Sequence, residues 1–185
     1  MTHTDQAVAL LARAYAFAAA RHAGQWRNAA SEEPYLHHLI EVANLLAYVT
    51  EGADPVLVAG GILHDVIEDT PTTPAELRTL FGHEVATLVA EVTDPPGLGE
   101  DERRQRQVEH VRELSAQARL LKIADKTSNI RERLASRPAD RTDEEILAYV
   151  EWGAMVVMGC RGINTKLDDA FEEAYEAALR KFGGL

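Results

Sequence analysis

The segment GGILHDVIEDT, residues 60–70, places His64, Asp65, Glu68 and Asp69 directly behind an apolar run. Crowded carboxylates repel one another and lose hydration, so such a cluster persists only where something offsets that cost. On a helix each residue turns the chain by about 100°, which puts all four within an arc of about 140°. That face is too ionisable for core, and the flanking GGIL and VI are too apolar for a solvated surface. A divalent cation resolves the conflict, because it binds imidazole and carboxylate and its charge offsets their repulsion.

Two other segments offer further ligands. PYLHHLIEV carries His37 and His38 at the start of a helix, and LLKIADKTSN carries Asp125 in a mostly apolar one. Lys122, Asp125, Lys126 and Asn129 share a face of that second helix, within about 100°. A mixed nitrogen and oxygen set suits Mn²⁺, Fe²⁺ or another first-row ion better than a thiolate-type zinc site. Each part alone has a plainer reading. His37 or His38 can cap or pack, Asp125 can pair with Lys122 or Arg119, and Glu68 and Asp69 can end a helix. Carboxylates at a helix C-terminus oppose its dipole, however.

These residues need helices to carry them. Asp54-Pro55 reads as an N-cap with proline at the first helical position, opening the helix that bears His64; Pro71 closes it. Thr73-Pro74-Ala75-Glu76 reads as a capping box, and Thr142 to Glu145 repeats the device. LFGHEVATLVAEVT is helical with a break at Gly82, DPPGLGED (94–101) is a loop, and ERRQRQVEHVRELSA is a charged helix. In ARLLKIADKTSNIRERLA the core positions are Leu120, Leu121, Ile123, Ala124 and Ile130. Two further helices complete the chain, and no strand alternation appears. The expectation is one all-α bundle of roughly seven to ten helices, with residues 1–185 as a single domain.

The composition, 46% hydrophobic and 26% charged over 185 residues, is that of a soluble globular protein. A net charge of -11 argues against non-specific nucleic-acid binding and against anionic membranes. The lone Cys160 excludes an internal disulfide and fits a reducing, cytoplasmic setting. The Ala-rich N-terminus lacks a basic n-region and is interrupted by Arg13. Leu10, Leu11, Ala14, Phe17 and Ala18 follow helical spacing instead.

HDxxED, with an upstream histidine and a downstream KxADKxxN, resembles the HD-domain metal-dependent phosphohydrolases. More narrowly, it resembles the alarmone hydrolases of the RelA/SpoT type, in the short stand-alone form typified by the metazoan SpoT homologue. The likeness runs from HAGQWR (22–27) through EPYLHHLIEVA (33–43), ILHDVIEDTPTT (62–73), FGHEVATLVAEVTD (81–94) and KIADKTSNIRE (122–132) to YVEWGAMVVMGCRGINTKLDDAF (149–171). No synthetase or regulatory domain is expected beside it.

The resemblance implies that His38, rather than His37, binds metal with His64, Asp65 and Asp125, and that the usual ion is Mn²⁺. It implies that Glu68 and Asp69 activate water and move its proton. Asn129 and Tyr149 fall near the nucleotide, and Arg27 meets substrate phosphate. Lys122, Lys126 and the run Arg103, Arg104, Arg106 are further cations for substrate charge. Trp26, Tyr35, Tyr149 and Trp152 either stack on a base or pack in the core. The implied reaction is hydrolysis of the 3′-pyrophosphate of guanosine 3′,5′-bis(pyrophosphate), an alarmone, and of its pentaphosphate relative. The alternatives are another nucleotide phosphate, such as the 2′-phosphate of NADPH, and a nucleotide sensor without catalysis. Three departures stand out: Asn28 in place of a common lysine, Leu39 in place of proline, and Gly60-Gly61 in place of alanines.

Overall fold

The computed structural model describes residues 2–27 and 33–184, so Asn28 lies outside the described residues. The described chain is an all-α bundle, and its one extended pairing is an isolated bridge between Trp26 and Pro34. In chain order the helices are α1 (His3–Arg21), α2 (Leu36–Val49), α3 (Pro55–Leu63), α4 (Val66–Asp69), α5 (Pro74–Phe81), α6 (His83–Val92), α7 (Glu100–His110), α8 (Ala116–Ala135), α9 (Asp143–Met158) and α10 (Thr165–Phe182). A 3₁₀ turn, Val111–Glu113, joins α7 to α8.

Helix starts follow side-chain chemistry. Asp54 accepts from the Leu57 N–H at 2.9 Å, with Pro55 at the first helical position. Thr142 and Glu145 form the reciprocal capping box that the sequence suggests. Thr73 makes only half of one: its hydroxyl accepts from Glu76 N–H, while the Glu76 carboxylate pairs with Arg21 on α1. A tertiary ion pair has displaced the local bond. Gly82 adopts φ 89° and separates α5 from α6 at the expected break.

α8 is the central strut and packs against α2, α3, α6, α9 and α10. Leu121, Ile123, Ala124 and Ile130 on it are buried, as the periodicity requires. They join Leu39, Leu46, Leu57, Ile62, Leu63, Ile146, Leu167 and Phe171 in one contiguous core.

The glycine pair lets α3 approach two neighbours. A Cβ at Gly60 would fall 2.5 Å from Leu88 Cδ2 on α6, and one at Gly61 would fall 2.8 Å from Leu46 Cδ1 on α2. Gly60→Val is therefore expected to overpack the α3–α6 contact and to destabilise by about 1–3 kcal/mol. A urea melt should show a lower midpoint with an unchanged slope.

The metal-facing cleft

The run from Pro55 to Asp69 is not one continuous helix. α3 ends at Leu63, His64 and Asp65 form a turn, and α4 starts at Val66. An unbroken helix would give the Gly61 carbonyl to the Asp65 N–H. Here that carbonyl accepts from His64 Nδ1 at 2.9 Å. The break turns His64 and Asp65 toward a common point, while Glu68 and Asp69 line the same cleft as exposed residues. A regular helical wheel does not contain this division.

Three helical segments converge on that point. His38 comes from the first turn of α2, His64 and Asp65 from the α3–α4 break, and Asp125 from the middle of α8. His64 Nε2 lies 3.1 Å from Asp65 Oδ2 and 3.8 Å from Asp125 Oδ1. His38 Nε2 lies 3.5 and 3.4 Å from the same two oxygens. Metal–ligand bonds of about 2.1 Å put neighbouring ligand atoms about 3 Å apart, so this spacing suits one divalent cation.

The hydrogen bonds behind the imidazoles agree. Each Nδ1 is committed elsewhere, His64 to the Gly61 carbonyl and His38 to Ser128 Oγ at 2.9 Å. Each Nε2 therefore faces the centre and is the ring nitrogen available to a metal once it is unprotonated. His64 Nε2 is buried and, among the described residues, makes no well-aligned hydrogen bond, although Asp65 Oδ2 lies 3.1 Å away. His38, His64 and Asp65 thus form a group able to hold a metal ion. His37 turns away, bonding Glu33 at the exposed surface.

The electrostatics point the same way. Burial alone would push the His64 imidazolium down, but Asp65 and Asp125 reverse this and raise its pKa to about 10. Burial would raise both carboxyls, yet His64 and His38 hold Asp65 well below the usual carboxylate range, and Lys126 with the same histidines does so for Asp125. The carboxylates thus favour positive charge at the centre. Glu68 and Asp69 behave differently. Partial desolvation, and for Asp69 then the neighbouring Asp65, pushes both carboxyls up. The Asp94 N–H donates to Glu68 Oε1 at 2.7 Å and fixes its direction.

The remaining expected residues are placed as follows. Lys122, Lys126, Asn129 and Tyr149 line the same cleft. Lys126 Nζ bonds Asp125 Oδ2 at 3.0 Å and lies 4.4 Å from the centre of the Trp152 ring. Lys122 Nζ donates to the Val92 carbonyl at 2.8 Å. Asn129 bonds Asp125 Oδ1 and accepts from Arg27 at 3.0 Å. Arg27 is not itself a lining residue; it meets two that are, bonding Asn129 and lying 5.7 Å from the centre of the Tyr35 ring. Arg103 and Arg104 line the cleft, whereas Arg106 faces neighbouring hollows. Trp26 is 56% exposed, which overturns core packing for it.

Some residues that matter here escape a sequence reading. The Tyr35 hydroxyl donates to Asp65 Oδ2 at 2.5 Å, a role beyond stacking or packing. Ser128 accepts from His38 and passes its own hydrogen to Glu41 Oε2 at 2.7 Å. The i, i+3 and i, i+4 spacing of Asp125, Ser128 and Asn129 was the available signal. Ser128→Ala should weaken metal binding about 10- to 100-fold, as loss of a ligand's supporting partner generally does. Titration of apoprotein with Mn²⁺ measures it.

A helical bundle with a His/His-Asp/Asp convergence defines a class. The chain belongs to the HD domain family, whose model matches residues 14–148. Its relatives include guanosine-3′,5′-bis(diphosphate) 3′-pyrophosphohydrolase MESH1 of Danio rerio, 36% identical over 90% of this chain and 93% of that one. The Homo sapiens protein of the same name is 38% identical over 91% and 94%. The bifunctional (p)ppGpp synthase/hydrolase SpoT of Escherichia coli is 35% identical over 92% of this chain but 25% of its own length. A solved structure described as a metazoan ortholog of SpoT that hydrolyzes ppGpp superposes with a TM-score of 0.87, at 34% identity over 96% of this chain and 97% of that one.

Proposed function

We propose that the protein is a metal-dependent hydrolase that removes the 3′-pyrophosphate of guanosine 3′,5′-bis(pyrophosphate) and its pentaphosphate relative. The products are GDP or GTP and pyrophosphate. The observation that carries this reading is the cation-sized convergence of His38, His64, Asp65 and Asp125 beside the Glu68–Asp69 pair. The near-full-length likeness to named pyrophosphohydrolases supports the substrate. The whole chain, residues 1–185, acts as one domain in this reading, supported by its single core cluster. The buried, unpaired Cys160 supports a reducing, cytoplasmic setting. Among the described residues no helix is long and apolar enough to cross a membrane.

His38, His64, Asp65 and Asp125 would hold the ion; the mixed donor set suits Mn²⁺, Fe²⁺ or another first-row ion, and the family resemblance supports Mn²⁺. A divalent cation held there would lower the pKa of a water and offset phosphate charge. Glu68 and Asp69 take the proton from the attacking water and return one to the departing ribose 3′-oxygen. Burial raises the pKa of both carboxyls, which favours groups that hold as well as release a proton. The water oxygen ends on the released pyrophosphate. Lys122, Lys126, Arg103 and Arg104, with Arg27 through Asn129, face the substrate's charge, and Tyr149 stands beside the nucleotide.

Purified protein with Mn²⁺ is expected to release GDP and pyrophosphate from guanosine 3′,5′-bis(pyrophosphate), and chelation should stop it. NADPH and simple nucleotides complete the panel. Turnover of these alone, by metal-loaded protein, would overturn the alarmone assignment.

Proton and metal compete for His64 Nε2. At pH 7 the ring lies below its pKa of about 10 and carries the second proton. Metal binding must expel that proton, so affinity rises with pH. Calorimetric titration of apoprotein in buffers of different ionisation enthalpy should show close to one proton released from this ring at pH 7.

A further inference from the structure

The motif HAGQWR supplies Arg27 to the reading above but leaves His22 and Gln25 without a role. Both are tied to the site. His22 closes α1 and is buried. Its Nδ1 lies 2.6 Å from Gln25 Oε1, and Gln25 Nε2 donates at 2.9 Å to the backbone carbonyl of Asp69. With the amide nitrogen committed to Asp69, Oε1 is the acceptor and His22 Nδ1 carries the hydrogen. The ring also stacks on Tyr35, with centroids 5.1 Å and planes 23° apart. Tyr35 is the residue whose hydroxyl donates to Asp65.

His22 Nε2 is buried and meets no hydrogen-bond partner among the described residues. A buried polar atom left unpaired costs stability, and a phenylalanine would stack on Tyr35 without it. What histidine adds at this position is the Nδ1 hydrogen bond to Gln25.

We infer that His22 is a positioning residue for the acid pair. Through Gln25 it fixes the backbone at Asp69, and through Tyr35 it braces Asp65. One buried ring thereby sets the separation between the proton-handling carboxyl and the carboxylate that faces the metal. The inference rests on the hydrolase reading, in which Asp69 moves the proton. His22 itself touches no substrate.

Three variants separate the donor from the ring. His22→Phe keeps the stack and drops the donor. His22→Asn drops the ring and keeps a donor near Nδ1. Gln25→Leu cuts the tie from the other side. In His22→Phe and Gln25→Leu, kcat is expected to fall about tenfold with KM within about twofold, as for misplacement of a catalytic group. Bound Mn²⁺ should stay at the wild-type level, and His22→Asn should restore most of the turnover. Wild-type kcat in folded, metal-loaded Gln25→Leu overturns the inference, even where His22→Phe does not fold. Histidine nitrogen NMR reads the tie without substrate. It should place the hydrogen of wild-type His22 on Nδ1 and shift it toward Nε2 in Gln25→Leu; hydrogen on Nε2 in the wild type overturns the inference. If wild-type protein cleaves no nucleotide, the hydrolase reading fails, and the spectrum still judges the tie.

Discussion

Asp125→Ala is expected to remove the metal and weaken the core in one step. The Asp125 carboxylate faces both metal-side imidazoles, accepts from Asn129 and pairs with Lys126. Lys126 is only 4% exposed, so the substitution leaves an ammonium buried without its counter-ion. Breaking a buried pair from one side costs about 3–5 kcal/mol, which corresponds to a fall in melting temperature of about 10 °C for a chain of this size. Turnover should fall by at least about 10³-fold, because without the cation the water that Glu68 and Asp69 deprotonate keeps its ordinary high pKa. Metal analysis, melting and activity are read on one preparation. Asp125→Asn, which keeps an acceptor for Asn129, should lose metal while melting higher than the alanine variant. Full metal occupancy in Asp125→Ala would take Asp125 out of the ligand set.

Glu68→Gln isolates proton handling from metal binding. Glutamine keeps an oxygen to accept from the Asp94 N–H, so the local fold should hold. The expected loss in kcat is about 10²- to 10⁴-fold, the range for a general acid–base group. Mn²⁺ content and KM should change little. The pH profile adds a second readout. Burial raises the Glu68 pKa, so as a base it loses function as pH falls through that raised value. The acidic limb of the wild-type profile should therefore lie above the ordinary glutamate range, and it should flatten in the variant. A wild-type rate in metal-loaded Glu68→Gln would assign the proton to Asp69 alone.

Much of this site was legible in one dimension because its chemistry is local. His64, Asp65, Glu68 and Asp69 fall within six residues, and Asp125 stands with Lys122, Lys126 and Asn129 on one helical face. The helix starts at Asp54 and Thr142 were equally readable, since a cap needs only its own first turn. What stayed hidden depends on distant partners. Ser128 meets His38 across 90 residues of chain, and Tyr35 meets Asp65 across 30. Glu76 abandons its own cap for Arg21, 55 residues away. The break at His64 was hidden for another reason: a side chain takes a backbone acceptor, and apolar periodicity is blind to that competition.

α7 presents Arg103 and Arg104 to the cleft, yet none of its residues is buried. Polar links fasten it to the rest of the molecule, among them Trp152 Nε1 to the Arg104 carbonyl at 3.0 Å and Gln107 Nε2 to Asp94 Oδ2 at 2.5 Å. Mutations on its cleft-facing side therefore escape the packing penalty that constrains α3 and α8. Drift or laboratory selection can remodel the cleft-facing charge along this one segment, while the residues proposed to hold the metal, anchored in the core helices, stay fixed. Ligand choice and foldability are in this way assigned to separate parts of the chain.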